Sequence, residues 1–219
     1  MNIIPAIIGK NIEEIRDKVE EVQNHVKWIQ IDVMDGIFTP QKSWPYIEGE
    51  FSDLELIDSI RKDELKLEFH LMVERPEEIV SELVSCGADR IIFHQEATER
   101  ADEIIKYLED EEVGCGIALK FDTELSTIDK YLPDIDLVQL MSIREIGSYG
   151  QKFEEGVFKK IINLKKKHPG LEISVDGGVS LEDIERLKAA GVENFVVGSA
   201  IFGSEDIIGS IEKFKEIIK

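Results

Sequence analysis

Short apolar segments alternate with longer amphipathic segments along the whole sequence, and this alternation limits the fold more than any other feature. Apolar runs rich in β-branched residues predict strands, whereas apolar residues spaced three or four apart predict helices. The predicted strands are Ile3–Ile8, Trp28–Met34, Leu65–Met72, Arg90–His94, Gly114–Leu119, Ile135–Met141, Leu171–Val175 and Asn194–Gly198. The predicted helices are Ile12–His25, Leu54–Arg61, Glu77–Cys86, Arg100–Glu111, Glu124–Tyr131, Glu154–Lys167, Leu181–Ala189 and Glu205–Ile218.

Strand–helix units repeated in this way predict a parallel sheet. A TIM (β/α)8 barrel fits the pattern, and 219 residues lie within the size range of that fold. The alternative is an open doubly wound sheet, but no Gly-x-Gly-x-x-Gly turn follows the first strand. No linker divides the chain. We therefore predict a single α/β domain, a TIM barrel spanning residues 1–219.

Charge and hydropathy restrict the partners of the chain. Its net charge of −20 argues against nucleic acid, which requires a clustered basic face. No apolar run reaches the length of a membrane span, and the start of the sequence lacks the basic residues of a signal peptide, so we expect a cytoplasmic protein. A phosphate site in so acidic a chain must be local and built from backbone amides.

Polar side chains recur on one face of several predicted strands. Residues two apart share a face, so Gln30 and Asp32 lie together on the second strand, opposite its apolar face. The same parity selects Glu68, His70, Gln139, Met141, Ser174 and Asp176 as inward-facing. A single polar residue more often makes a hydrogen bond in the barrel centre. Three at separate strand ends, Asp32, His70 and Asp176, predict an active site, because TIM barrels place theirs at the carboxyl ends.

Glycine-containing turns follow the last three predicted strands. Glycine lets backbone amides approach an anion closely, and the loops after strands 7 and 8 are the common phosphate position in this fold. The predicted phosphate-binding residues are Gly147, Gly150, Gly177, Gly178, Gly198 and Ser199. Each turn alone is more often ordinary turn chemistry, but their combination predicts a small phosphorylated substrate.

Two facing carboxylates beside a phosphate site predict proton transfer on a phosphorylated sugar. Removal of a proton next to a carbonyl needs a base near the carbon and stabilisation of the developing oxyanion. If Asp32 and Asp176 lie on opposite faces of the substrate, one removes the proton and the other returns it, which inverts the carbon. His70 together with these carboxylates can also hold a divalent cation.

At these residues the sequence resembles the ribulose-phosphate 3-epimerase family over nearly the whole chain. The segments that carry the resemblance are Ile31 to Pro40 (IDVMDGIFTP), His70 to Val73 (HLMV), Phe93 to Ala97 (FHQEA), Met141 to Ile143 (MSI), Gly150 to Phe153 (GQKF), Val175 to Gly178 (VDGG) and Gly198 to Phe202 (GSAIF). The resemblance implies Asp32 and Asp176 as the acid–base pair, and these with His70 as metal ligands. It also implies a homo-oligomer, with the reacting face capped by Met34, Met72 and Met141.

Two departures from the family pattern bear on function. Gln30 stands where the family has its first metal-binding histidine, and a neutral amide oxygen is a poorer ligand for zinc or iron, which argues against a tightly held zinc, iron or manganese ion. Lys120 and Phe121 replace an Asn-Pro pair. Lys120 could form a Schiff base or bind a second anion, as in another lyase or isomerase. A non-catalytic phosphosugar-binding barrel is the remaining alternative.

Overall fold

A computed structural model of the chain describes residues 1–50, 53, 62, 64–148 and 150–219. Its strands run parallel and close into a barrel in sequence order, with the last strand pairing to the first. The strands are β1 (Asn2–Ile7), β2 (Trp28–Met34), β3 (Lys66–Met72), β4 (Arg90–His94), β5 (Gly114–Leu119), β6 (Leu137–Met141), β7 (Glu172–Asp176) and β8 (Asn194–Val197). The predicted TIM barrel is therefore confirmed.

Helices follow most strands and pack on the outside of the barrel. They are α1 (Ile12–Val22), α2 (Val80–Ser85), α3 (Ala101–Asp110), α4 (Val157–Lys167), α5 (Leu181–Ala190), α6 (Ser199–Phe202) and α7 (Ile207–Ile218). Shorter 3-10 turns occupy Pro76–Glu78, Gln95–Ala97 and Leu125–Ile128. Within the described ranges, no helix combines the length and the apolar character that a membrane crossing requires.

Two helix predictions have a different outcome from the rest. The predicted helix Leu54–Arg61 lies outside the described residues. The predicted helix Glu124–Tyr131 is wrong, because only the 3-10 turn Leu125–Ile128 forms there. The hydroxyl of Thr127 donates a 2.8 Å hydrogen bond to the Glu124 carbonyl, an alternative to helical pairing that threonine side chains offer to the backbone.

The strands place apolar and polar side chains on opposite faces, as their alternation predicts. Ile29, Ile31 and Val33 of β2 face outward into the main core between barrel and helices. The intervening Gln30 and Asp32 are buried on the other face, inside the barrel. The barrel register pairs Asp32 with His70 on β3 and Met141 with Asp176 across β6 and β7, which brings the polar strand ends to similar heights.

A group of charged residues fills the barrel near the amino ends of its strands. This amino-end cluster comprises Trp28, Glu68, Arg90, Glu172 and Asn194. Arg90 Nε donates a 2.8 Å hydrogen bond to Glu68 Oε2, and its guanidinium lies 4.1 Å from the centroid of the Trp28 ring. Arg90 also lies 3.7 Å from a Glu172 carboxylate oxygen, while Asn194 Nδ2 donates to the other at 3.0 Å. The guanidinium therefore neutralises Glu68 directly.

Candidate active site

A second polar group lies at the carboxyl ends of the strands. This carboxyl-end cluster comprises Gln30, Asp32, His70, Gln139 and Asp176, all of them buried. Gln30 Nε2 donates hydrogen bonds to Asp32 Oδ1 at 2.8 Å and to Asp176 Oδ2 at 3.0 Å. Gln139 Nε2 donates to the same Asp176 oxygen at 3.1 Å. One amide nitrogen thus joins the two aspartates that the sequence analysis selected.

His70 supplies positive charge to this pair of carboxylates. Its Nδ1 lies 3.2 Å from Asp32 Oδ1 and 3.3 Å from Asp176 Oδ2. Burial alone would lower the pKa of His70, but hydrogen bonds to Asp176 and Asp32 and the charges of both raise it to about 9. Burial raises the pKa of Asp32, and the neighbouring Asp176 charge raises it further, while His70 opposes the shift. Asp32 therefore keeps a proton to a higher pH than an aspartate exposed to solvent does.

A chain of side chains fixes the other edge of the His70 ring. His70 Nε2 lies 3.0 Å from His94 Nε2, and His94 Nδ1 lies 3.2 Å from Glu96 Oε2. Burial lowers the pKa of His94 to about 4, so it is neutral at pH 7 and carries one ring proton. That proton lies on Nδ1, which donates it to Glu96. His94 Nε2 is then an acceptor for the N–H of His70 Nε2, and this bond leaves His70 Nδ1 facing the two aspartates.

Sequence reasoning assigned no separate role to His94 or Glu96, although both lie in the FHQEA segment that carries the family resemblance. Their two-residue spacing in the Phe93 to Ala97 segment, at a strand end, is the signal that could have found the pair. Burial alone would raise the pKa of Glu96, but hydrogen bonds from His94, the Thr123 hydroxyl and the Lys120 backbone lower it to about 2. Glu96 is therefore charged at neutral pH and holds His94 from the rim.

Two buried serines hold the strand ends that carry the aspartates. Ser43 Oγ donates to the Asp32 carbonyl at 2.8 Å and accepts from the Met34 amide at 2.9 Å. Ser142 Oγ donates to the Asp176 carbonyl at 3.0 Å. Sequence reasoning assigned neither serine a role, although the second lies within the MSI segment. Both hydroxyls fix backbone where β2 and β7 end.

The predicted glycine turns meet over the carboxyl-end cluster. A cavity there is lined by Asp32, Met72, Met141, Gly147, Gly150, Asp176, Gly177, Gly178, Gly198 and Ser199. Ile8, Ser148 and Gln151 also line it, and sequence reasoning did not single them out. Met34 and His70 are not among the lining residues. Met34 packs with Met72 and Met141 in an apolar group above the acids, and His70 is fully buried.

Glycine is required at one of these positions and favoured at another. Gly178 has a φ of +65°, and a Cβ there would lie 2.7 Å from the Gln151 carbonyl oxygen. Gly147 has a φ of +89°, and a Cβ there would lie 2.8 Å from Met34 Sδ. A Cβ at position 178 would meet fixed backbone atoms, which excludes other residues there. At position 147 the positive φ disfavours them, and the flexible Met34 side chain would have to move. The segment after β6 therefore lies directly on the methionines and on the turn after β7.

Asp32, His70 and Asp176 could hold a metal ion. Each offers one ligand atom, and these atoms lie within 4.8 Å of one another. Two carboxylates and an imidazole are ligands that zinc, iron and manganese accept. Gln30 Oε1 is buried without a hydrogen-bond partner among the described residues, while Nε2 of the same amide contacts all three possible ligands. The residues present fit a divalent cation.

Lys120 lies at the rim and is absent from the residues that line the cavity. Its Nζ is 3.7 Å from the centroid of the Phe38 ring, and that ring is 5.0 Å from the centroid of the His94 ring. The ammonium thus stacks on an aromatic face.

The structure is similar to solved barrels that act on other sugar phosphates. 3-Hexulose-6-phosphate synthase from Salmonella typhimurium matches with a TM-score of 0.78 at 15% identity, covering 100% of this chain and 98% of that chain. 3-Keto-L-gulonate-6-phosphate decarboxylase from Vibrio cholerae matches with a TM-score of 0.77 at 16% identity, covering 99% and 96%. Identities this low show a shared fold alone.

Sequence comparison is more specific. The profile of the ribulose-phosphate 3 epimerase family matches residues 2–202. Proteins named ribulose-phosphate 3-epimerase are 31% identical in Eremothecium gossypii, covering 99% of this chain and 92% of that protein, and 30% identical in Bacillus subtilis, covering 94% of each. These matches support the epimerase interpretation of the chain. The chain belongs to the ribulose-phosphate 3-epimerase family.

Proposed function

We propose that the protein is a ribulose-phosphate 3-epimerase, an isomerase that inverts the carbon next to the carbonyl of a ketose phosphate. The observation that carries the proposal is the pair of buried carboxylates, Asp32 and Asp176, hydrogen-bonded to one amide beneath a glycine-lined cavity. Family membership supports the same reaction. Ribulose 5-phosphate and xylulose 5-phosphate are the proposed substrate pair.

Each carboxyl group has a separate part in the proposed reaction. One carboxylate takes the proton from the carbon, and the electron pair moves toward the carbonyl to give an enediolate. The other carboxyl group, in its acid form, returns a proton to the opposite face of the same carbon. The raised pKa of Asp32 suits it to hold the proton that is delivered while Asp176 acts as base, and the two exchange roles in the reverse direction.

A divalent cation is proposed at Asp32, His70 and Asp176, with Gln30 as a further oxygen donor. Zinc, iron or manganese would fit these ligands, and when bound would stabilise the negative charge that develops on the substrate oxygen. His94 and Glu96 orient His70 from behind, so its Nδ1 stays directed at the two carboxylates.

Backbone amides and methionines complete the proposed site. The glycine turns at Gly147, Gly150, Gly177–Gly178 and Gly198–Ser199 are proposed to bind the phosphate, since all of them line the cavity that contains both aspartates. An amide site also suits an acidic protein, because it needs no basic side chain. The apolar group of Met34, Met72 and Met141 is proposed to cap the reacting face and to exclude water.

Three wider features belong to the same proposal. We expect the whole chain to act as one barrel domain, in the cytoplasm, and to assemble as a homo-oligomer.

The Schiff-base alternative would need Lys120 to reach the substrate carbonyl. The stacking of its ammonium on Phe38, away from the lining of the cavity, gives that alternative no support.

Exchange of solvent deuterium into ketose phosphates tests the proposed function. Purified protein is incubated in deuterium oxide with ribulose 5-phosphate, xylulose 5-phosphate and related ketose phosphates, and each sugar without protein serves as the control. We expect deuterium at the carbon next to the carbonyl, with interconversion of the first two sugars. Absence of exchange with every sugar, combined with a raised melting temperature in their presence, would instead identify a non-catalytic phosphosugar-binding protein.

A further inference from the structure

The amide of Gln30 occupies the centre of the carboxyl-end cluster. Its Nε2 lies 2.8 Å from Asp32 Oδ1, 3.0 Å from Asp176 Oδ2 and 3.3 Å from His70 Nδ1. These three atoms belong to the three residues that could hold a metal ion. The amide nitrogen therefore stands among the ligands, in contact with every one of them, and its hydrogens satisfy both carboxylates.

The other end of the same amide has no corresponding role. Gln30 is fully buried, and its Oε1 lacks a hydrogen-bond partner among the residues that the structure describes. Buried acceptors are rarely left unpaired, because each loses its hydration without replacement. Gln139 provides the contrast. Its Nε2 donates to the same Asp176 oxygen, and its Oε1 accepts a 3.1 Å hydrogen bond from Ser174.

A half-turn about the last torsion of a glutamine exchanges its nitrogen with its oxygen, and this torsion has two broad, nearly equivalent minima. Without a cation, the turned amide would direct a partial negative charge at two carboxylates. With a cation between the carboxylates, the present orientation would direct N–H groups at a positive ion. Each orientation therefore suits one state of the site.

We propose that Gln30 is a two-position residue, which donates Nε2 to Asp32 and Asp176 when no metal is bound and turns to offer Oε1 as a ligand when one binds. The inference rests on the proposed metal site. The turn exchanges two hydrogen bonds for one bond from a neutral oxygen. The protein thus folds and keeps its aspartates in place without metal, and it binds zinc more weakly than a variant with imidazole at this position.

Zinc titration of chelator-stripped protein, followed by NMR of glutamine side-chain amides, tests the proposal directly. The Gln30 signals are assigned by their absence from Gln30→Leu. We expect saturating zinc to shift the side-chain NH2 signals of Gln30 away from their hydrogen-bonded positions. Those of Gln139, which touches the same carboxylate and has both ends paired, should move much less. Zinc that binds without moving the Gln30 signals would overturn the proposal.

Affinity measurements with a matched pair of variants give an independent readout. Gln30→His should lower the zinc dissociation constant at least about tenfold, since imidazole is the better zinc ligand. Gln139 contacts only one of the three ligand residues, Asp176, so Gln139→His should tighten zinc binding much less than Gln30→His does. No zinc bound by the unaltered protein at millimolar concentration, together with binding by Gln30→Leu, would show a fixed amide that excludes the metal, and would also overturn the proposal.

The outcome for Gln30 is distinguishable from the outcome for the reaction. Deuterium exchange by metal-free protein with no zinc response would leave the epimerase proposal standing and remove the inference. A Gln30 signal that moves with zinc, in a protein that exchanges no ketose phosphate, would do the reverse.

Discussion

The amino-end and carboxyl-end clusters both contain buried charged residues, and they neutralise that charge in different ways. In the amino-end cluster, the guanidinium of Arg90 is hydrogen-bonded to Glu68 and stacked on Trp28. In the carboxyl-end cluster, Asp32 and Asp176 share the imidazole of His70 and the amide of Gln30. Arginine stays protonated in proteins, whereas histidine can lose its proton and with it its positive charge. The first cluster is electrostatically fixed and the second can exchange its positive charge.

This difference separates a structural role from a chemical one. Glu172 of the amino-end cluster is partly exposed to solvent, so the fully buried Glu68 has the guanidinium largely to itself. Neither Glu68 nor Arg90 lines the cavity, whereas both aspartates of the other cluster do. We expect substitutions in the carboxyl-end cluster to lower mainly the activity, and substitutions in the amino-end cluster to lower mainly the stability.

The largest expected effect is the loss of activity in Asp176→Asn. The substitution keeps the size of the side chain but removes a proton acceptor, so the epimerisation rate should fall by about 10³-fold or more. The free energy of unfolding, measured in urea, should change far less than it does in Arg90→Met, because His70 keeps Asp32 as its partner and one of two like buried charges has been removed. Epimerisation within tenfold of the unaltered rate would contradict the assignment of Asp176.

The opposite result is expected for Arg90→Met. This change leaves Glu68 buried without its cation, which should lower the free energy of unfolding by about 3 to 5 kcal/mol. The protein that remains folded should epimerise at a rate within about tenfold of normal. The double variant Glu68→Leu with Arg90→Met removes both charges and should recover most of the stability. A destabilisation below 1 kcal/mol with loss of activity would erase the distinction between the clusters.

A smaller effect, dependent on pH, is expected for Glu96→Gln at the rim. The pKa of Glu96 is about 2 in the folded protein and ordinarily 4.5, so its charge stabilises the fold above pH 4.5, and this stabilisation is lost as the pH falls toward 2. Because its side chain is 20% exposed, we expect about 1 to 2 kcal/mol at pH 6. Urea unfolding of the unaltered protein and of Glu96→Gln at several pH values measures the difference in their free energies of unfolding. A difference that does not shrink below pH 4.5 would contradict the lowered pKa of Glu96.

The fold and the proximity of the two aspartates were predictable because they depend on simple periodicities. The two-residue period of β2 placed Gln30 and Asp32 on one face, and the order of strands and helices placed Asp176 on the same barrel end. The registers between neighbouring strands then brought the side chains together. These relations are properties of strands in general, so they can be read from residue spacing.

The less predictable features depend on individual hydrogen bonds. Ser43 and Ser142 lie outside the strands, and their hydroxyls bond to backbone carbonyls that no sequence pattern identifies. The Gln30 amide directs its nitrogen at the two aspartates, and residue spacing does not reveal which end of the amide faces them. A 3-10 turn forms where a helix was predicted at Glu124–Tyr131, and Thr127 makes a local hydrogen bond to the Glu124 carbonyl there. Such details follow from three-dimensional proximity rather than from spacing.

The position of Gly147 has a consequence for the speed of the enzyme. With Gly147 against Met34, the cavity over the aspartates measures about 50 Å³, room for about one or two water molecules and too little for a pentose phosphate. Binding of a pentose phosphate therefore requires the groups that line the cavity to move apart, and release of the product requires the same. If that widening is slower than proton transfer, its rate rather than the chemistry sets the turnover.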